Sequence, residues 1–214
     1  MAIIGGGMVG NSTYFKDDYD RADTSLGDIG GSWQPYWIYP SGNTKISSKK
    51  LLCENNSLGG SSFDIFYIRG ITIGFTPAIK ITFKFTVNNA IYIGYNSCYF
   101  RIGIGRNADE AETDNYSIFL GPGTTQELKF LGGSAAFSWV VASYNIEALL
   151  QNGTSWIRIW KTTESRPIMP TLSVAGVSNF NQAMTWITQV CALINSSTHK
   201  SSFSTEDFLI KNSN

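Results

Sequence analysis

Along most of this chain apolar and polar residues alternate with a period of two. The run Ile79-Lys80-Ile81-Thr82-Phe83-Lys84-Phe85-Thr86-Val87 places five apolar side chains at alternate positions, with Lys80, Thr82, Lys84 and Thr86 between them. Such a run predicts a strand with one face in a core and the other in water. Asn88-Asn89 then predicts a hairpin turn into Ile91 to Tyr95 as an antiparallel partner. Tyr99 to Gly105 sets Phe100, Ile102 and Ile104 on one face, and Trp156 to Trp160 alternates again. Further strands are expected at Trp33 to Tyr39, Lys45 to Cys53, Phe63 to Ile68 (continued or bent back over Gly70 to Phe75), Tyr116 to Leu120, Glu127 to Leu131, Phe137 to Ser143, Leu172 to Val177, Trp186 to Ile194 and Phe208 to Ile210. Pro35 places the first of these at a strand start or a sheet edge. A helix competes in two places, Asn145 to Gln151 and Thr185 to Ile194, and Asn107 to Asn115 reads as an acidic loop.

Many short strands separated by turn signals, with no fixed-period repeat and no composition shift, predict one all-β antiparallel sandwich. The 214 residues and their 43% hydrophobic content suffice for its core. Charged residues are only 15%, against about 25% in an average domain. Sixteen basic residues balance sixteen acidic ones, so nothing steers the protein toward nucleic acid or an anionic membrane. Ser, Thr, Asn and Gly supply the polarity instead, a surface that suits a sugar or another copy of a shell protein. No segment has the length of a membrane span. Cys53, Cys98 and Cys191 form no CxxC pair, and their odd number leaves at least one free thiol. Residues 1–13 combine Ile3, Ile4, Met8 and Val9 with four glycines. They read either as a tail or as an arm that docks on a neighbouring subunit through those four apolar residues. The domain proper is expected over residues 14–214. The first residues lack a basic start and a long apolar core, so no signal peptide is expected.

The run Asp18-Tyr19-Asp20-Arg21-Ala22-Asp23, followed by Leu26-Gly27 and Trp33, resembles the opening of a concanavalin A-like lectin/glucanase (LamG-like) jelly roll. Phe203-Ser204-Thr205-Glu206-Asp207-Phe208-Leu209-Ile210 resembles the closing strand of the same family. The resemblance spans roughly Tyr14 to Asn212, with recognisable letters at its two ends. It implies a two-sheet jelly-roll sandwich in which the first and last strands pair. Apart from any family, Arg21 can pair bidentately with a carboxylate such as Asp23 or Asp18, and Trp33 and Leu26 can anchor the core. Asp18, Arg21, Asp23, Trp33 and Asp207 are therefore expected to form a structural latch, with ligand binding by the acids as the alternative.

A glucanase of this kind sets two carboxylates across the scissile bond, and the resemblance implies a catalytic strand reading Glu-x-Asp-x-Glu. The nearest run is Glu110-Ala111-Glu112-Thr113-Asp114, which puts three acids on one face if extended, in a different order and between loop-like flanks. No catalytic residue is assigned. Asp109, Glu112 and Asp114 also offer the oxygen ligands that Ca²⁺ takes, without EF-hand spacing, and no cofactor is expected beyond that one candidate. Tyr36, Trp37 and Tyr39 crowd one segment beside Trp33, and alternation turns at least one ring outward as a sugar platform. His199, the only histidine, stands in a polar run without a nucleophile elbow.

The expected function is a non-enzymatic structural protein of a tailed-phage virion, a capsid decoration or a tail or fibre component. Its partners would be other virion proteins or copies of itself. The alternative is a carbohydrate-binding module for host surface glycans, and hydrolysis of glycosides ranks third.

Overall fold

The computed structural model describes residues 13–25, 29–39, 44–54, 61–74, 78–89, 99–122, 126–178, 180, 182–194 and 202–213; the side chains of 35–39, 61–63, 108 and 194 stand outside that description. In chain order the elements are β1 (Thr13–Asp17), β2 (Gln34–Tyr39), β3 (Thr44–Ser47), β4 (Lys50–Glu54), β5 (Ser61–Ile73), β6 (Ile79–Val87), β7 (Tyr99–Gly105) and α1 (Ala108–Ala111). A 3-10 turn (Asp114–Tyr116) leads to β8 (Ser117–Gly121), β9 (Glu127–Phe130), β10 (Gly133–Ala136), β11 (Ala142–Leu150), β12 (Gly153–Lys161), β13 (Leu172–Val177), β14 (Met184–Ile194) and β15 (Ser202–Asn212).

These strands form two antiparallel sheets. Sheet A runs β13-β12-β11-β6-β15-β4-β3, with β1 also on β15, and sheet B runs β10-β9-β8-β7-β14-β5-β2. Strand β15 ties the ends of the chain together. One of its edges follows β6, while the other is shared by β4 over Ser202 to Thr205 and by β1 over Phe208 to Lys211. The closing strand therefore pairs with the opening one, as the family resemblance implies.

The period-two pattern of β6 is realised residue by residue, with buried and half-buried positions alternating along its length. Its inward Phe83 and Phe85 meet Phe100 of β7 at ring-centroid distances of 6.0 and 5.9 Å, and Phe203 of β15 lies 5.5 Å from Phe85. This aromatic cluster bridges the two sheets, in the size and geometry that dominate sandwich cores.

Several local expectations are corrected. Lys45 to Cys53 is a hairpin rather than one strand, because Ser48 and Lys49 adopt φ of +53° and +62° and turn β3 back into β4. The two edges of β6 are taken by β11 and β15; Ile91 to Tyr95, expected as its hairpin partner, lie outside the described residues. Asn145 to Leu150 is extended as part of β11, and Gln151 follows its end, so the segment is not helical; Ile146, Ala148 and Leu150 bury on one face. Phe137 to Val141 is irregular instead of a strand. Its backbone is held by side chains, with Gln126 Oε1 accepting from Trp139 N at 2.6 Å and the Tyr144 hydroxyl bonding both N and O of Val140. Strand β10 was not expected in Gly-Ser-Ala-Ala. It forms because Leu131 and Gly132, at φ +48° and +83°, return the chain along β9.

Candidate binding depression on sheet A

The outward face of sheet A carries rows of side chains set by strand register. Asn145 of β11 lies opposite Trp160 of β12 and opposite Lys84 of β6. Two residues further, Glu147 lies opposite Arg158 and Thr82; beyond it Leu149 lies opposite Trp156 and Lys80. Because cross-strand and diagonal neighbours on one face touch, these rows make a continuous polar and aromatic surface. It holds a depression of about 350 Å³ lined by Lys80, Thr82, Lys84, Asn145, Glu147 and Trp160, with Arg166 and Asp207 at its sides.

Glu147 is the floor of this depression and is only 3% exposed, an unusual setting for a carboxylate. Three cations compensate it. Arg166 Nε donates to its Oε2 at 2.6 Å, Lys80 pairs with its Oε1, and Arg158 Nη1 lies 3.5 Å from Oε2. Burial opposes ionisation, but the hydrogen bonds from Arg166 and Lys80 outweigh it and hold the carboxyl at about 2. Arg166 reaches this position from the loop between β12 and β13, which is pinned back onto β12. Arg158 Nη2 donates to Ile168 O at 3.0 Å, Thr171 N to Ile157 O at 2.8 Å, and Ile159 N to Thr171 Oγ1 at 2.8 Å. Arg158 also lies 4.0 Å over the Trp156 ring. At the other side Asp207, in a bulge of β15 at φ +54°, accepts from Lys84 Nζ at 2.8 Å. None of this constellation except Asp207 was singled out from the sequence. The available signal was a charged residue on each of three alternating strands, but only the register of distant strands brings them together.

The expected latch has a different centre. Period-two alternation along β1 turns Asp17, not Asp18, toward the sandwich, where it is 8% exposed. Its carboxylate accepts from Arg21 Nη1 and Nη2 at 2.8 and 3.1 Å, from Trp33 Nε1 at 2.9 Å and from Tyr19 N at 2.8 Å. Arg21 and Trp33 thus converge on one acid. Asp18 is exposed and pairs with Lys16 at 3.2 Å, and its carboxyl is lowered chiefly by the Asp20 backbone N–H. Asp23 accepts from Ser48 N and Ser47 Oγ on the β3–β4 turn. Asp207 belongs to the depression, while its neighbour Phe208 packs against Phe15 and Trp33 at 5.9 and 6.3 Å. Leu26 and Gly27 lie outside the described residues.

The acidic run is not extended. Glu110 and Ala111 sit on α1 and Asp114 opens the 3-10 turn, so the three acids do not share a strand face. Arg106 holds Glu110 through its guanidinium and lowers that carboxyl, while Asp114 stands 3.5 Å from both Arg101 and Lys129. Burial raises the Glu112 carboxyl against the pull of Arg101. Among the described residues no group of three His, Cys, Asp or Glu could hold a metal ion. This segment lies on the outer face of sheet B, with Thr188 Oγ1 donating to Ala111 O at 3.2 Å. Gly103 of β7 makes that approach feasible, since a Cβ there would stand 1.5 Å from Ala111 O.

Tyr36, Trp37 and Tyr39 are in β2, at the edge of sheet B, and their side chains lie outside the description. The same holds for Ile3, Ile4, Met8, Val9, Cys98 and His199 in full. Cys53 and Cys191 are both buried, and burial pushes the Cys53 thiol up.

No protein-family model and no curated protein sequence matches this chain. Solved structures match it over most of its length at low identity. The carbohydrate recognition domain of Emp46p, in a potassium-bound form, has a TM-score of 0.59 at 11% identity, over 94% of this chain and 98% of that one. Lectin II from Ulex europaeus has a TM-score of 0.55 at 7% identity, over 85% of this chain and 92% of that one. A mutant of SCLam, a non-specific endo-β-1,3(4)-glucanase of family GH16, has a TM-score of 0.60 at 7% identity, over 96% of each chain. The fold is a concanavalin A-like jelly roll, shared with both lectins and glucanases.

Proposed function

We propose that this chain is a non-enzymatic, lectin-type carbohydrate-binding module. The observation that carries the reading is the depression on sheet A, where Trp160 stands in one row with the Asn145 amide and the Thr82 hydroxyl lines the same hollow from the next row, opposite Glu147. An indole face next to hydrogen-bonding groups matches the mixed apolar and polar surface of a sugar ring. Neither Asn145 nor Thr82 has a side-chain hydrogen bond among the described residues, so both are open to a ligand's hydroxyls. Binding without cleavage is favoured by the charges. A general acid needs a raised carboxyl, whereas Glu147 is held at about 2. On sheet B burial raises Glu112, but its neighbours Glu110 and Asp114, the candidates for the second carboxylate that glycoside cleavage needs, are engaged by Arg106, Arg101 and Lys129. The test is a glycan array probed with the full chain and with Trp160→Ala. Selective binding that the variant loses is expected; release of reducing ends from a bound polysaccharide, lost in Glu112→Gln, would replace this reading with hydrolysis.

A second reading, the structural role on a tailed-phage virion, is favoured by a different surface. Ile168 and Met169 are 88% and 75% exposed on the pinned β12–β13 loop, a placement suited to contact with another subunit. With the apolar arm residues Ile3, Ile4, Met8 and Val9, they would serve assembly. Particles that incorporate a chain lacking residues 2–13 and carrying Ile168→Ser and Met169→Ser as well as the intact chain would eliminate this role.

A further inference from the structure

We propose that the sheet A depression selects a carboxylated sugar residue, with Trp160 as its platform and the Arg166 guanidinium as the receptor for its carboxylate. This inference rests on the carbohydrate-binding reading and adds the class of sugar. The chain as a whole is neutral, with sixteen charges of each sign. Around Glu147, however, Lys80, Arg158 and Arg166 set three cations against one carboxylate. The pair formed by Lys84 and Asp207 cancels itself at the rim. A local cationic surplus on a neutral protein favours an anionic ligand in that place.

Arg166 has the form needed to use the surplus. It bonds Glu147 through Nε, and among the described residues its two terminal amino groups bond no other side chain. Those two parallel donors suit a second carboxylate. Its side chain is 51% exposed, so a ligand can reach it, while Nε is anchored. Pro167 restricts the backbone of Arg166 to extended conformations, and the loop's bonds to β12 hold it over β11. The ordering entropy of a long flexible side chain has thus been met largely before ligand arrives. Thr82 and Asn145 supply hydroxyl and amide groups for the sugar's own hydroxyls. A volume of about 350 Å³ accommodates a small ligand, at the lower end of the range for small-molecule pockets.

The experiment is calorimetric titration of the full chain with uronic- or sialic-type oligosaccharides, their carboxyl-reduced counterparts and sulfated analogues. The carboxylated glycan is expected to bind at least tenfold tighter than its reduced form. Arg166→Gln should bring the two to the same affinity. Arg166→Lys, which keeps the charge but not the fork, should retain thermal stability and lose most of the preference; Trp160→Ala should weaken both ligands. Equal affinity for acid and reduced glycan, a preference that survives Arg166→Gln, or preference for the sulfated analogue overturns the proposal. Neutral-glycan binding that ignores Trp160→Ala would also overturn it while leaving a lectin function elsewhere intact. Absence of binding to any glycan would remove the carbohydrate reading itself.

Discussion

Removing the Asp17 carboxylate would leave the Arg21 guanidinium, the Trp33 indole N–H and the Tyr19 amide without their shared acceptor. Breaking a buried charge pair from one side costs about 3–5 kcal/mol, and partial exposure of Arg21 argues for the lower end of that range. Asp17→Ala should therefore unfold in urea at a free energy about 3 kcal/mol below the wild type, whereas Asp18→Ala should change it by less than about 1 kcal/mol. Glu147 makes a prediction in pH. Its carboxyl falls from an ordinary 4.5 to about 2 in the folded chain. A depressed carboxyl stabilises fully above its unfolded value, and that contribution, on the order of 3 kcal/mol, is lost as pH drops from 4.5 toward 2. Acid titration of thermal stability should show this loss, and Glu147→Gln should be less stable at pH 7 with a shallower acid slope. Gly103→Ala places a methyl on the Ala111 carbonyl and should displace α1 from sheet B, read as faster amide exchange across residues 108–116 with the β7–β14 ladder preserved.

At the scale of elements, β15 is the strand on which most of sheet A depends, and its bulge at Glu206 to Leu209 is where the ladder to β6 is interrupted. Asp207 adopts φ +54° there, a conformation that costs an ordinary side chain roughly 1–2 kcal/mol. Asp207→Gly relieves that strain while losing only the exposed pair with Lys84, so stability should stay within about 0.5 kcal/mol of the wild type. The β-branched Asp207→Val should lose about 1–2 kcal/mol; equal effects of the two substitutions would show that the bulge is unstrained. Strands with strict alternation were legible from sequence because burial on one face decides them locally, as in β6, β7 and β12. The family resemblance carried by the runs at the two ends of the chain implied that the first and last strands pair, as β1 and β15 do. What was not legible depended on backbone sign or on distant register. Ser48 and Lys49 give no residue-level warning of positive φ, and Asn145 to Leu150 becomes a strand only because β6 and β12 flank it. The depression was hidden for the same reason, its lining coming from strands up to 127 residues apart, from Lys80 to Asp207. Of the expected latch only Arg21 and Trp33 converge, and they do so on Asp17, a residue the sequence reading had passed over; Asp18, Asp23 and Asp207 serve other contacts.

For the whole molecule, a jelly roll shared by lectins and glucanases leaves function to its surfaces. Sheet B has its outer face partly covered by α1, with Glu110 and Asp114 committed to Arg106, Arg101 and Lys129, while sheet A offers Trp160 and Asn145 next to a surplus of cations. The proposed ligand site is therefore the one on sheet A. The most direct measurement is a two-dimensional ¹H–¹⁵N correlation titration of the full chain with a carboxylated oligosaccharide. The Trp160 indole N–H is expected to move together with the amides of Lys80 to Lys84 and Asn145 to Glu147. Shifts confined to Tyr99, Arg101, Thr188 and the α1 segment on sheet B, or no shifts at all, would contradict binding on sheet A.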